Sequence, residues 1–359
     1  MNVGIFGLWG INRGHVFVNK NTVDTLLKYK HDVFIYQIRP DKIEKDFEKY
    51  NELVHITKGF DNSLSVPEKL FKKWVLEHNL DMVFFNEYNQ WSDDGQNLVK
   101  TTVDMNVKAY GYLMWERFND VTPEVYKDYT RLLCPTKSLY RLMRQYKIRN
   151  KTYIPYSLDL TEYEFGFQKK PEFTFIHIGG MLGAYHRKNT NAVIEAFKRV
   201  NEKHPETRLI VTCQKQVEFP IVENVTYITE DLSREKLMVL LASCHISVLP
   251  SKWEGIGLPL LESMALGVPV ITVNSPPMNE LVIDNKTGLL AGVEKYTEYP
   301  DITVMGAEVD INDLANKMIT LASNTMIYDI LSMNAKKHMK DNFDLEVNEK
   351  ELMRLIENE

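Results

Sequence analysis

Two glutamates, Glu254 and Glu262, flank the stretch Gly255-Ile256-Gly257-Leu258-Pro259, and a β-branched and apolar run, Ile246–Leu249, stands just ahead of them. Glycines at 255 and 257 let backbone N–H groups approach a ligand closely, and Pro259 suits a first helical turn, where its missing donor is not needed. A helix that begins here presents unsatisfied N–H groups and the positive end of its dipole, an arrangement that attracts phosphate. The 3.6-residue period puts Glu254 ahead of the turn and Glu262 about two helical turns into the helix, so they cannot do the same job. A carboxylate readily accepts two hydrogen bonds, which suits each of them to a pair of vicinal hydroxyls, one on a sugar and the other on a ribose.

A second group is His177-Ile178-Gly179-Gly180, then Met181 to Tyr185, then His186-Arg187-Lys188-Asn189. It reads as a strand, a glycine-containing loop and a helix that starts near Asn189 or Thr190. Cations are disfavoured at that end of a helix dipole, so Arg187 and Lys188 point to an anionic partner. A preorganised cation beside a departing diphosphate stabilises charge that develops on the leaving oxygens and can replace a metal ion. His15, His31, His177, His204 and His245 lack metal-ligand spacing, and no metal is expected. Nearer the start, Gly7-Leu8-Trp9-Gly10-Ile11-Asn12-Arg13-Gly14 follows a strand and precedes a helix, without the strict Gly-x-Gly-x-x-Gly spacing of a dinucleotide site.

These residues need a scaffold, and the pattern of the chain supplies one. Short β-branched or aromatic runs alternate with longer segments of helical period, which predicts a parallel sheet with crossover helices. Strands are expected at Val3–Phe6, Asp32–Gln37, Met82–Phe85, Ala109–Leu113 and Arg131–Cys134, with helices at Val16–Tyr29, Pro67–His78 and Ser138–Tyr146. A second series is expected at Phe173–Ile178, Leu209–Thr212, Val225–Ile228, Ile246–Leu249 and Val268–Thr272, with helices near Thr190–Arg199, Glu235–Ala242 and Leu260–Ala265. The expectation is α/β: two Rossmann-like doubly wound parallel-sheet domains, 1–160 and 161–345, hinged where Pro155 and Pro171 interrupt regular structure. Such sheets bind ligands at the carboxyl ends of their strands, so two of them facing across a hinge form one cleft.

With 359 residues, 44% of them hydrophobic and 26% charged, the chain can bury a sizeable core, which excludes a disordered or fibrous protein. A net charge of −6 argues against nucleic acid, although residues 1–150 carry 22 Lys and Arg against 19 Asp and Glu. Three scattered cysteines suit a reducing compartment, and the chain opens on a strand rather than a signal peptide, so cytoplasm is expected. The longest uncharged stretch, Ser263 to Asn279, is broken by Gly267, Pro269, Pro276 and Pro277 and cannot span a bilayer. Residues 137–151 hold six Lys and Arg among Leu139, Tyr140, Leu142 and Met143. They suit either a solvated helix packed on its own sheet or a peripheral contact with the anionic inner face of a membrane.

The segment from Glu254 to Glu262, with Asn279-Glu280-Leu281-Val282 and Asn285 to Leu290 after it, resembles the retaining glycosyltransferases of family 4, the glycosyl transferases group 1. Their signature is two glutamates separated by seven residues around Gly-Phe-Gly-Leu-Pro, and Ile256 replaces the Phe here. The resemblance implies a GT-B fold and transfer of a sugar from a nucleotide-diphosphate donor, UDP- or GDP-linked, with retention and without metal or other cofactor. It implies that Glu254 binds hydroxyls of the transferred sugar, Glu262 the ribose, amides near Gly257 and Leu258 the diphosphate, and backbone near Tyr227–Glu230, Ile228 among it, the base. Lys188 matches the family's phosphate-binding lysine, while Gly180 stands where the family carries an Arg, so that charge falls to His186 or Arg187 or is absent.

In the first domain, Gly10 is the candidate for the glycine the family sets against the donor. Glu116, in Met114-Trp115-Glu116-Arg117, replaces the family's His, and Glu87 is a second candidate on the acceptor side. The closing helix, 346–359, resembles the family's last helix, which crosses back onto the first domain. The acceptor can be a glycan, a protein, a lipid-linked sugar or a small molecule. Two rival readings stay open: a noncatalytic sugar-nucleotide-binding partner subunit, and a sugar-nucleotide epimerase that would recruit Glu87 and Glu116.

Overall fold

The computed structural model describes residues 1–11, 14–39, 43–59, 64–86, 93–118, 122–180, 186–300 and 302–358. The chain divides into two compact units, Met1–Tyr156 together with Glu349–Glu359, and Ser157–Asn348. The division falls after Tyr156, where the sequence pattern places it after residue 160.

The first unit holds the parallel strands β1 (Asn2–Gly7), β2 (Asp32–Gln37), β3 (His55–Lys58), β4 (Met82–Phe85), β5 (Lys108–Tyr112), β6 (Arg131–Cys134) and β7 (Lys151–Tyr153). Their order is β3-β2-β1-β4-β5-β6-β7, so the winding reverses between β1 and β4, where Val3 pairs with Met82. β1 and β4 are buried along nearly their whole length, which is why they read as continuous apolar runs rather than as alternation. Below the sheet the Phe6 ring meets Phe71 edge-on at 5.2 Å and lies 6.2 Å from Trp74. Both partners come from the helix Glu68–Glu77, whose buried face is Phe71, Trp74 and Val75. The edge strands β3 and β7 are short and half-exposed, and the sequence pattern alone missed them. The closing helix, Leu345–Asn358, adds its end to this unit, and Lys28 pairs there with the buried Glu349.

The second unit holds β8 (Thr174–Ile178), β9 (Arg208–Thr212), β10 (Val225–Ile228), β11 (Ile246–Leu249), β12 (Val270–Val273) and β13 (Gly288–Ala291), parallel in the order β10-β9-β8-β11-β12-β13. Here the winding reverses between β8 and β11. An antiparallel hairpin follows, β14 (Val293–Thr297) with β15 (Gly306–Val309), and sequence patterning did not anticipate it. The helices Ile311–Ala322 and Thr325–Asn342 complete the unit, each opened by a side-chain cap, Asp310 and Asn324 respectively. Among the described residues no helix is long and apolar enough to cross a membrane.

Candidate active site

A doubly wound sheet leaves a crevice at the carboxyl ends of the two strands where its winding reverses, because the crossovers there depart to opposite faces. In the second unit those strands are β8 and β11. The segment after β8 ends in Arg187 and Lys188, and the loop after β11 carries Glu254, so topology alone brings the two motifs together.

Lys188 and Glu254 are both buried, and the Lys188 ammonium donates to Glu254 Oε1 at 2.6 Å. Arg187 donates through Nη1 to the other carboxylate oxygen, Oε2. Burial by itself would push the Glu254 carboxyl up, but Arg187 and Lys188 outweigh it and hold the group at about 2. Burial draws the Lys188 ammonium below its usual range, with the ionised Glu254 opposing. Two cations share one carboxylate, so the cluster carries one positive charge in excess. A second anion is the natural complement of such a group.

The scaffold behind the cluster is rigid. His177, on β8 and fully buried, donates through Nδ1 to the Val248 carbonyl of β11 at 2.7 Å, and its Nε2 accepts from the Thr190 hydroxyl at 2.9 Å. Burial pushes this imidazole down to about 4, so it stands neutral and ties both switch-point strands to the start of the helix Thr190–Lys203. Asn189 precedes that helix in the left-handed conformation, φ 58°. The Lys252 N–H donates to the Arg187 carbonyl at 2.8 Å, joining the two loops through their backbones.

The glycine turn behaves as its sequence requires. Gly257 takes φ +76° as the residue before the helix Leu258–Ala265, with Pro259 in its first turn, and a Cβ at 257 would stand 2.9 Å from Leu281 Cδ1. Leu258 is the first residue of that helix. Because the helix starts there, Glu262 lies little more than one turn in, not two. It is buried, and it accepts from Arg234 Nη1 at 2.6 Å. Arg234 also donates to the Tyr163 hydroxyl at 2.7 Å. Burial opposes the arginine's charge, but Glu262 and Tyr163 more than restore it, and its pKa is raised.

Sequence reasoning missed Arg234 and Tyr163. The missed signal is the one that had singled out Arg187 and Lys188: Arg234 follows the Ser233 cap as the first residue of its helix, the wrong end for a cation without an anionic partner. Ile228 closes β10, opposite Thr212 of β9, and its carbonyl accepts from Cys213 N–H at 2.8 Å. Gly180 takes φ +66°, and a Cβ there would lie 3.8 Å from Lys188 Cε. Gly180 thus lies beside Lys188 and brings no side chain there.

In the first unit, Gly10 follows β1 with φ +85° and is buried. Asn19 donates to the Leu8 carbonyl at 2.8 Å and accepts from Asn86 at 2.8 Å, while Gln37 donates to the Trp9 carbonyl at 3.1 Å. Amides thus fix the loop after β1. Glu116 lies in the short turn Trp115–Arg117 of this unit, half-buried. Glu87 lies outside the described residues, as do Asn12, Arg13 and Met181 to Tyr185. Among the described residues no three His, Cys, Asp or Glu side chains gather as a metal site would need.

Residues 166–300 match the glycosyl transferases group 1 family. The group 1 stretch contains Arg187, Lys188, Glu254 and Glu262, hence both buried ion pairs. An uncharacterized glycosyltransferase of Sulfolobus islandicus rod-shaped virus 1 is 30% identical over 133 residues, 35% of this chain and 39% of that protein. The chain spans less than half the length of each of the curated relatives it matches first. Sucrose-phosphate synthase from Thermosynechococcus elongatus superimposes with a TM-score of 0.74 at 14% identity, covering 100% of this chain and 98% of that one. Anabaena HepE in complex with UDP and glucose does so with a TM-score of 0.72 at 14% identity, covering 100% of both. The fold is that of the GT-B glycosyltransferases, with two Rossmann-like parallel-sheet domains.

Proposed function

We propose that this protein is a glycosyltransferase that moves a sugar from a nucleoside diphosphate to an acceptor hydroxyl, with retention of anomeric configuration and without a metal ion. One observation carries the reading: the buried Arg187–Lys188–Glu254 cluster, with its excess positive charge, lies at a switch point whose loop opens the helix Leu258–Ala265. The departing diphosphate gains charge as the glycosidic bond breaks. Lys188 and Arg187, with the N–H groups at Gly257 and Leu258, stabilise that charge more than they stabilise the intact donor. Glu254, held ionised by the same cations, accepts from sugar hydroxyls and orients the ring. Glu262, steadied by Arg234, accepts from the ribose, and the backbone at Ile228 meets the base. No side chain is assigned as a covalent nucleophile. The leaving phosphate takes the acceptor proton, which dispenses with a separate general base. Gly10 is the first unit's donor-side candidate, and Glu116 and Glu87 are the acceptor-side candidates.

UDP is the first nucleotide to try, because HepE, which shares the fold, is seen with UDP and glucose. The acceptor classes stay as wide as the sequence left them. A cytoplasmic site is proposed, with peripheral contact at a membrane's inner face where the helix Lys137–Gln145 exposes Lys137, Arg141 and Arg144. A specific observation favours a second reading, a noncatalytic sugar-nucleotide-binding subunit: Gly180 leaves the family's Arg position without a side chain.

The test is a thermal-shift screen against UDP-, GDP-, ADP- and dTDP-sugars without added metal, since a ligand that binds only the folded state raises its stability. A selective shift, lost in Glu262→Ala, supports the donor site and names its nucleotide. A shift without turnover on any acceptor or water selects the noncatalytic reading. No shift from any of the four, in a folded protein, removes the donor site.

A further inference from the structure

The hairpin β14–β15 has no part in the mechanism above, yet it sends one side chain to the back of the charged cluster. Tyr299, from the connection between the two strands, packs its ring 4.7 Å from Trp253 and 5.0 Å from His186, and His186 meets Trp253 edge-on at 5.1 Å. Those partners are the residues immediately before the cluster's own members, His186 before Arg187 and Trp253 before Glu254. The phenol hydroxyl lies 2.8 Å from the Lys252 ammonium and donates to Glu308 on β15. Lys252 pairs with the same Glu308 at 2.9 Å, and Glu308, Lys252 and Tyr299 are all largely withdrawn from solvent. The backbone continues the connection, because Lys252 donates its N–H to Arg187 and accepts at its carbonyl from Ala307 N–H, each at 2.8 Å.

Gly306 shows that this ring is built into the fold: a Cβ there would come within 2.6 Å of the Tyr299 ring and 3.2 Å of Trp253. Only a residue without a side chain lets the phenol lie against the strand. The hairpin thus holds the switch-point loops through the Tyr299 ring, a shared Lys–Tyr–Glu network and one backbone hydrogen bond, while a second backbone hydrogen bond joins the loops to each other. A cluster whose work depends on where two cations and a carboxylate stand is sensitive to displacements well below 1 Å, so whatever fixes these loops fixes the chemistry.

We propose that Tyr299 is a positioning residue for the Arg187–Lys188–Glu254 cluster, acting through Lys252 and the His186–Trp253 ring contacts. The inference rests on the reading of that cluster as the donor site. It also makes a claim that holds without that reading, namely that the hairpin and the two switch-point loops move as one body.

The test compares the full-length wild type with Tyr299→Phe, which keeps the ring and removes the hydroxyl, and with Tyr296→Phe, a control on the exposed face of β14. Backbone hydrogen exchange is followed in peptides that contain Lys252 and Ala307, together with thermal unfolding and steady-state release of nucleotide from UDP-glucose and GDP-mannose. The expected result for Tyr299→Phe is faster exchange at both sites, an unchanged unfolding midpoint and kcat lower by about tenfold at unchanged KM. Tyr296→Phe should leave all of these at the wild-type value. Unchanged exchange in Tyr299→Phe overturns the proposal, as does a lowered midpoint with exchange raised throughout the unit, which would make the hydroxyl a general stabiliser. If the wild type neither releases nucleotide from these two nor is stabilised by a UDP-, GDP-, ADP- or dTDP-sugar, the donor-site reading is what fails. The exchange comparison then decides the coupling by itself.

Discussion

The two units have the same winding, and the described residues at their switch points differ in chemistry. In the second, the loops after β8 and β11 bring two cations and a carboxylate into a buried cluster, backed by a neutral histidine. In the first, the residues after β1 and at the end of β4 are joined by amides, Asn86 to Asn19 and Asn19 to the Leu8 carbonyl. Ion clusters are strong, directional in charge and sensitive to pH. Amide networks hold a backbone equally well and do not titrate. Shared topology therefore says where ligands go, and only the side chains at the switch point say what kind.

The largest expected effect comes from removing the one anion of the charged cluster. Glu254→Gln leaves Lys188 buried without its counter-charge, so turnover should fall by about a hundredfold or more and stability by about 3 kcal/mol, read by steady-state kinetics and denaturant unfolding. A variant with full activity would dissolve the contrast between the two units. Lys188→Met should cost nearly as much in kcat, because it removes the buried cation that the proposed function sets against the leaving diphosphate. Arg187, with a side chain 35% exposed, should cost less when changed to Met, and equal losses would contradict the ranking.

Next in size is a pH effect at the second unit's switch point. Burial depresses the His177 imidazole from 6.5 to about 4, so between those values the unfolded chain binds the proton and the folded protein does not. Its contribution is intact above pH 6.5 and is progressively lost as pH falls toward 4, by about 3 kcal/mol in all at about 1.4 kcal/mol per unit. Glu254, held at about 2 against 4.5 in the unfolded chain, keeps its contribution down to about pH 4.5 and loses it progressively from there toward 2. Hydrogen exchange in β8 should therefore accelerate across that window more than exchange in β1, whose switch-point loop is braced by amides. Equal acceleration in both strands would remove the distinction.

The smallest effect sits on the amide side. Asn86→Ala removes the donor to Asn19, at a cost of about 1–2 kcal/mol, and should loosen the Leu8–Gly10 loop, with a weaker effect on sugar-nucleotide binding than Glu262→Ala because Gly10 is the first unit's donor-side candidate. Isothermal titration with UDP-glucose checks it.

Much of this was legible beforehand because parallel strands buried on both faces are unbroken apolar runs. β1, β2, β4, β6 and β11 stood out for that reason, whereas β3 and β7, half-exposed edge strands of four and three residues, leave no such trace. The turn at Gly257 was legible because its backbone demands a glycine. Arg187 and Lys188, cations at a helix start, pointed to an anionic partner that the sequence pattern assigns to the donor's diphosphate, whereas the partner within the chain is Glu254, 66 positions from Lys188.

By itself the sequence determined the α/β class, the glycine turn that opens a helix, and the identity of the charged residues, because each follows from local pattern, backbone geometry or charge. Only the tertiary structure decided which charges meet. The pairing of both cations with one carboxylate, the union of Arg234 with Glu262 and Tyr163, and the reach of Tyr299 to the back of the cluster all follow from the order in which β8 and β11 lie side by side. The physical reason is that hydrogen bonds and ion pairs act over about 3 Å of space, while a sequence records only separation along the chain.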